Sequence, residues 1–220
     1  MQLIHTDTRG TLQRGLIEQN PAWIQLLGLC PLMAVSHTIV NSLGLGLASM
    51  FVLLGSNLVI SLLRHRIPGH LRLPLFVLII ATFTTCVTML MQAFTFELYE
   101  RMALYIQIIV TNCIILSRAE VCASKQKLSV AIMDALGVGL GFTIALLALG
   151  AFRELLAYGT LFRDMELLFG PFAANWSLAL IPENFTLRLA ALPPGAFIVA
   201  GLLMALVKAC SHKTPGIKQT

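Results

Sequence analysis

Charge is what this sequence has least of. Only 11% of its 220 residues are Asp, Glu, Lys or Arg, against roughly 25% in a soluble globular domain. Hydrophobic residues make up 57%, and the mean hydropathy is +0.85. Too few polar side chains remain to cover a water-facing surface, which excludes a soluble enzyme and a disordered chain alike. The five cysteines are odd in number and lack Cys-x-x-Cys spacing, so a disulfide framework is excluded as well. Residues 1–20 are polar and contain Arg9, Arg14 and Glu18, which is not the pattern of a cleavable signal. Neither a basic helix nor interleaved aromatics accompany the net charge of +5, so nucleic acid is not an expected partner. Alternating ten-residue segments of the barrel type are also missing, and in lipid that leaves helices.

What the sequence does have is long apolar runs. A spanning helix needs about 20 mainly apolar residues, and six stretches qualify: 23–39, 43–63, 73–93, 102–117, 129–152 and 189–209. The expected fold class is therefore an all-α integral membrane protein with six transmembrane helices. Six spans place both termini on one side. That side carries eleven of the fifteen Lys and Arg residues, and the other carries only Arg101, Arg153, Arg163 and Arg188. The excess of positive charge predicts cytoplasmic termini. Residues 1–22 read as a cytoplasmic interfacial segment in which 12–20 lie along the surface and Trp23 sits at headgroup level; 211–220 read as a cytoplasmic tail. The first break falls near Asn41-Ser42, and residues 153–188 form a long, rather apolar external loop.

The stretch NSLGLGLASMFVLLGSNLVISLL from Asn41 overlays DALGVGLGFTIALLALGAFRELL from Asp134, with Gly44, Gly46, Leu53 and Leu54 coinciding with Gly137, Gly139, Leu146 and Leu147. Asn41 and Asp134 are both good helix N-caps, and paired glycines let helix backbones approach. The chain then divides into three-helix halves, 23–93 and 94–210. Because three is odd, the second copy inserts upside down, giving an inverted repeat of the kind that places its functional centre near the midplane at broken helices. Shared packing motifs of membrane helices are the competing explanation.

Each half has one intramembrane cysteine in its first span, Cys30 in GLCPLMAV and Cys113 in TNCIILSRAE. Pro31 lacks an amide donor and favours the first position of a helix, so a half-helix is expected to start there. The Cys30 sulfur would then lie near the positive end of a dipole, which favours a thiolate. Asn112, deep in an apolar span, can satisfy backbone groups freed by a similar break. A buried cysteine taken singly is more often a small hydrophobe. Two at matching places suggest a metal site shared across the axis, for which a second copy or a homologous partner would supply further thiolates. Cys86, Cys122 (in a cytoplasmic loop) and Cys210 have no repeat mates and read as structural. Arg118 with Glu120 reads as an interfacial ion pair, Asp134 as a cap, and His37 as a histidine packed in the bundle.

The motifs LGLCPLMAV (27–35), NSLGLGLA (41–48), TNCIILSRAE (111–120), DALGVGLGFT (134–143) and RELLAYGTLF (153–162) resemble the E-subunit family of the bacterial Rnf-type ion-translocating electron transport complex. They are similar also to the paralogous D subunit of the sodium-pumping NADH:quinone reductase. Ser117 and Ala135 stand where glycine is more frequent, and Cys122 where an aromatic is common. The resemblance implies a non-catalytic inner-membrane subunit that pairs with a homologous subunit of opposite topology, the A subunit of the same complex. Each would give two cysteines, here Cys30 and Cys113, to a shared [2Fe-2S] cluster, with Pro31 and Asn112 as neighbours that tune it. Flavin, nicotinamide and quinone sites would belong to other subunits. Two rivals carry different expectations: a secondary transporter, which needs polar substrate ligands at the breaks, and a passive scaffold, in which cysteine substitution leaves electron transfer intact.

Overall fold

The structure, a computed structural model, describes residues 27–64, 66–67, 71–161, 178–179 and 192–211. Its described part is helical apart from one antiparallel ladder that pairs Thr160 with Ala179 and Leu161 with Leu178. In chain order the helices are α1 (Leu29–Val35), α2 (Ile39–Leu63), α3 (Arg72–Phe94), α4 (Phe96–Gln107), α5 (Cys113–Arg118), a π-helical turn (Ala119–Ala123), α6 (Leu128–Tyr158) and α7 (Pro193–Ser211). Three of these, α2, α3 and α6, are long and apolar enough to cross a membrane, and α7 contains a shorter apolar run, Pro194–Ala205. The stretches expected at 23–39 and 102–117 are not continuous spans: α1 has seven residues, and α4 is separated from the six-residue α5 by turns at 108–112. The interfacial segment, Trp23, most of the external loop and the tail from 212 lie outside the described residues.

Helices α2 and α6 form the centre, each with 56% of its apolar window buried, whereas α3 has 22% and presents most of its surface outward. Glycine explains how close the central pair comes. A Cβ at Gly46 would lie 2.7 Å from Thr143 Cγ2, and one at Gly139 would lie 3.2 Å from Met50 Cγ. A Cβ at Gly150 would collide with Ser42 Oγ. Packing without side-chain bulk is how helices gain van der Waals contact in lipid, where no hydrophobic force draws them together. Buried Leu45, Val52, Val138, Phe142, Leu146 and Leu149 fill the rest of this seam. At one end of it, Ile60, Phe76, Ala119 and Ala123 form a second apolar cluster that ties α2, α3 and the π-helical turn together.

The helix boundaries revise several expectations. The first break lies at Ser36-His37-Thr38 rather than at Asn41-Ser42, and α2 starts behind Thr38, whose Oγ1 accepts the Asn41 N–H at 3.3 Å. Asn41 is therefore the third residue of α2 and not its cap. Asp134 is no cap either, because α6 begins at Leu128 behind Lys127. The apolar runs carry both helices further back than their first glycine-rich motif. At its other end α6 runs through Arg153 to Tyr158 and stops at Gly159, whose φ of +66° supplies the left-handed turn. The external loop thus starts six residues later than expected, and Arg153 belongs to a buried helix face, not to a loop.

Candidate functional site

Cys30 and Cys113 occupy similar local structures. Helix α1 begins behind Gly28, at φ +74°, so Cys30 is its second residue and Pro31 its third. The expected start at Pro31 is two residues late, and the physical reason is Gly28: the left-handed turn is what releases the chain into the helix. Pro31 still sits in the first turn, where the missing N–H costs nothing. Cys113 is the first residue of α5, behind Asn112, whose Oδ1 accepts the Ile114 N–H at 3.1 Å. Both sulfurs therefore lie in first turns, where backbone N–H groups lack helical partners and the dipole is positive.

The two helix starts touch. A Cβ at Gly28 would collide with Ile114 Cδ1, and would lie 3.0 Å from Ile114 Cγ1 and 3.2 Å from Phe142 Cε2. The residue two before Cys30 thus packs on the residue directly after Cys113. Both cysteines are exposed on the surface of the chain. Asn112 is buried, and its Nδ2 has no hydrogen-bond partner among the described residues. An unused amide donor beside Cys113, two outward-facing thiols and two first turns suit an anionic, sulfur-rich group. Among the described residues, no three His, Cys, Asp or Glu side chains converge as a metal site.

A cavity of about 660 Å³ opens beside Cys30, lined by Met33, His37, Tyr105, Arg153 and Phe197 among others. His37 sits in the α1–α2 break, its Nε2 3.0 Å from Asn41 Nδ2 and its ring 6.3 Å from that of Tyr105; it is held in the bundle as the sequence suggested. Arg153 is 2% exposed and donates from Nη1 to Met33 O and to Ser36 Oγ, both at 3.0 Å. Glu154 is fully buried, and its Oε2 accepts the Ile39 N–H at 2.8 Å. Sequence reasoning missed this pair. Its signal was an Arg-Glu step at the end of a long apolar run, where an isolated charge would be costly.

On the Cys113 side, Arg118 does not pair with Glu120, which is exposed. It is buried and meets Asp134 of α6 at 3.4 Å. Cys122 is likewise not a loop residue: it is buried in the π-helical turn, and burial, reinforced by the neighbouring Asp134 carboxylate, pushes its thiol up to about 12. That thiol is a protonated, inert neighbour of an ion pair. Cys86 lies exposed on α3, remote in sequence from both breaks. Arg64 donates to Gln126 O, which brings the basic segments after α2 and before α6 to one end of the bundle.

Comparison with known proteins adds a further line. A family model described as "Rnf-Nqr subunit, membrane protein" matches residues 9–204. Proteins that carry the name of the E subunit of an ion-translocating oxidoreductase complex are similar over most of the chain. The one from Pseudomonas aeruginosa is 52% identical over 200 residues, covering 91% of this chain and 84% of the relative. That from Pseudoalteromonas atlantica is 51% identical over 192 residues, covering 87% and 83%. That from Haemophilus ducreyi is 49% identical over 205 residues, covering 93% and 90%.

Proposed function

The chain belongs to the Rnf-Nqr family of membrane proteins, and from that premise we propose that it is an electron-carrying subunit of a bacterial ion-translocating oxidoreductase complex. Cys30 and Cys113 supply half of the ligands of a [2Fe-2S] cluster, and two thiolates of a homologous subunit of opposite topology, the A subunit, supply the rest. The observation that carries this reading is the contact of Gly28 with Ile114, which joins the two cysteine-bearing helix starts while both sulfurs face away from the chain's own core.

The bilayer core is about 30 Å thick, and a bound cluster supplies a one-electron station partway across it. The chain's own residues do the rest. Cys30 and Cys113 stand in the first turns of α1 and α5, where free N–H groups and the positive dipole end tolerate added negative charge. The Asn112 amide offers a donor, and hydrogen bonds of this kind to sulfur raise a reduction potential. Leu29 and Met33 give the wall beside Cys30 an apolar lining.

The division into inverted halves, 23–93 and 94–210, has support in the packing. Offset by 93 positions, Gly46 corresponds to Gly139 and Met50 to Thr143. The contacts run Gly46 to Thr143 and Gly139 to Met50, which is the reciprocal pattern that a two-fold axis between α2 and α6 requires. Orientation with both termini in the cytoplasm of the inner membrane is supported by the Lys and Arg count, the more so because Arg153 drops out of the sparsely charged side.

The test is electron paramagnetic resonance of the dithionite-reduced complex with matched iron analysis. A [2Fe-2S] signal is expected in the native complex and should vanish in both Cys30→Ser and Cys113→Ser while the complex still assembles. Unchanged iron and spectra in both variants would overturn the reading in favour of a scaffold.

A further inference from the structure

Helix α1 cannot hold itself in place. Seven residues form few internal hydrogen bonds, and so short a helix is unstable without tertiary support. Its last carbonyls and the first N–H groups of α2 have no helical partners, and Val35, Ser36 and Thr38 at the break are buried. Two adjacent residues of α6 meet those needs. Arg153 takes Met33 O and Ser36 Oγ at the C-terminal, negative end of α1. Glu154 takes the Ile39 N–H at the positive start of α2. Each charge thus has the sign that the helix end beside it favours. Both side chains are at least 98% buried.

We propose that Arg153 and Glu154 are positioning residues, a two-pronged clamp from α6 that fixes the α1–α2 break and thereby sets where Cys30 stands relative to Cys113. The inference rests on the cluster reading above and extends it to groups that do not touch the cluster. Further down the same helix, Asp134 meets Arg118, the last residue of α5. Nineteen residues separate the two anchor points, roughly 28 Å of helix, close to the thickness of the hydrocarbon layer. Helix α6 therefore acts as one rigid bar to which both cysteine helices are fastened, one near each face. A cluster bridging them feels any slack in either fastening as altered sulfur geometry and solvent access, the quantities that set its potential.

The experiment is a redox titration, followed by paramagnetic resonance, of the purified complex carrying Ser36→Ala, Arg153→Lys, Glu154→Gln, Glu154→Ala or, as a packing control, Val52→Ala. Ser36→Ala removes one acceptor of Arg153. Glu154→Gln keeps an acceptor for Ile39 but discards the charge. Cluster content should persist in these two, with the redox equilibrium displaced roughly three- to tenfold, tenfold being 59 mV for one electron. Glu154→Ala should displace it further, Glu154→Gln should recover part of that, and Val52→Ala should lower thermal stability at an unchanged potential. If Arg153→Lys or Glu154→Ala fails to assemble, Ser36→Ala and Glu154→Gln decide. Native potential and line shape in both of those would overturn the clamp while leaving the cluster reading standing. A native complex whose signal survives Cys30→Ser would overturn both.

Discussion

Gly28 is the position where the geometry makes its sharpest demand. Its φ of +74° lies in the left-handed region, which costs an L-residue with a Cβ about 1–2 kcal/mol. The added methyl would also collide with Ile114 Cδ1 and crowd Phe142 Cε2 at 3.2 Å, and overpacking of this kind costs typically about 1–3 kcal/mol. Gly28→Ala should therefore destabilise the α1–α5 contact by about 2–5 kcal/mol in total. Much of that should appear as displacement of α1, since a seven-residue helix yields before the α2–α6 seam does. The two contributions can be separated. Ile114→Val removes the colliding carbon at a cost of about 0.5–1.5 kcal/mol by itself, so in a Gly28→Ala background it should restore the steric share and leave the backbone share. Thermal denaturation of the purified complex and its iron content would be measured for the two singles and the double. A positive coupling of about 1–3 kcal/mol is expected. Strict additivity, or a Gly28→Ala variant with native stability and iron, would refute the claim that these helix starts touch.

Three further outcomes follow from the packing and the charges. Gly46→Ala should cost more than Gly139→Ala, because Thr143 is stiff at 2.7 Å whereas Met50 is flexible at 3.2 Å; Thr143→Ser should rescue the former, and thermal midpoints of the three variants would show it. Arg118→Ala or Asp134→Ala, each leaving a buried charge without its partner, should destabilise by about 3–5 kcal/mol, whereas Arg118→Met with Asp134→Leu should cost much less, as read from the same midpoints. Cys122, raised from 9.0 to about 12, is an acid that binds its proton more tightly in the folded chain, so its contribution to stability is complete below pH 9 and is lost as pH climbs towards 12. Its labelling by maleimide should stay slow throughout that lower range and become fast only on unfolding, which mass spectrometry of the labelled chain would reveal.

The parts of this fold that were legible in the sequence are those written in composition and period. Apolar runs marked α2, α3 and α6, and the glycines of LGLGLA and LGVGLG marked the faces that meet. Asn112 marked the start of α5, and Pro31 that of α1 to within two residues. The break between α1 and α2 and the starts of α2 and α6 were not legible, since Thr38 and Lys127 cap or precede helices several residues ahead of the motifs that attract attention. Arg153, Glu154 and Asp134 were misread for one reason: a charge at the end of an apolar run reads as a loop or a cap unless its partner is known, and the partners lie 120, 115 and 16 residues away. No periodicity records such pairings.

Those anchors also show where symmetry stops. Under the proposed repeat, the position matching Arg153 is Ile60 and that matching Glu154 is Ser61, while Asp134 corresponds to Asn41. The glycine contacts are reciprocal, as the proposed pseudo-two-fold requires, but the charges that fasten the cysteine helices are not: all three stand on α6, and α2 offers neither half-helix a charged partner. Packing in lipid depends on shape, which both halves of such a repeat can keep. A buried charge, in contrast, needs a partner of opposite sign or an open helix end, and each such solution is local to one break. The two half-helices are consequently held by one helix rather than by a symmetric exchange between two. Loosening one of these fastenings on α6 should then move the half-helix it holds relative to the other, whereas a packing change on α2 should not, and the contrast between Glu154→Ala and Val52→Ala in the potential of the proposed cluster measures that asymmetry.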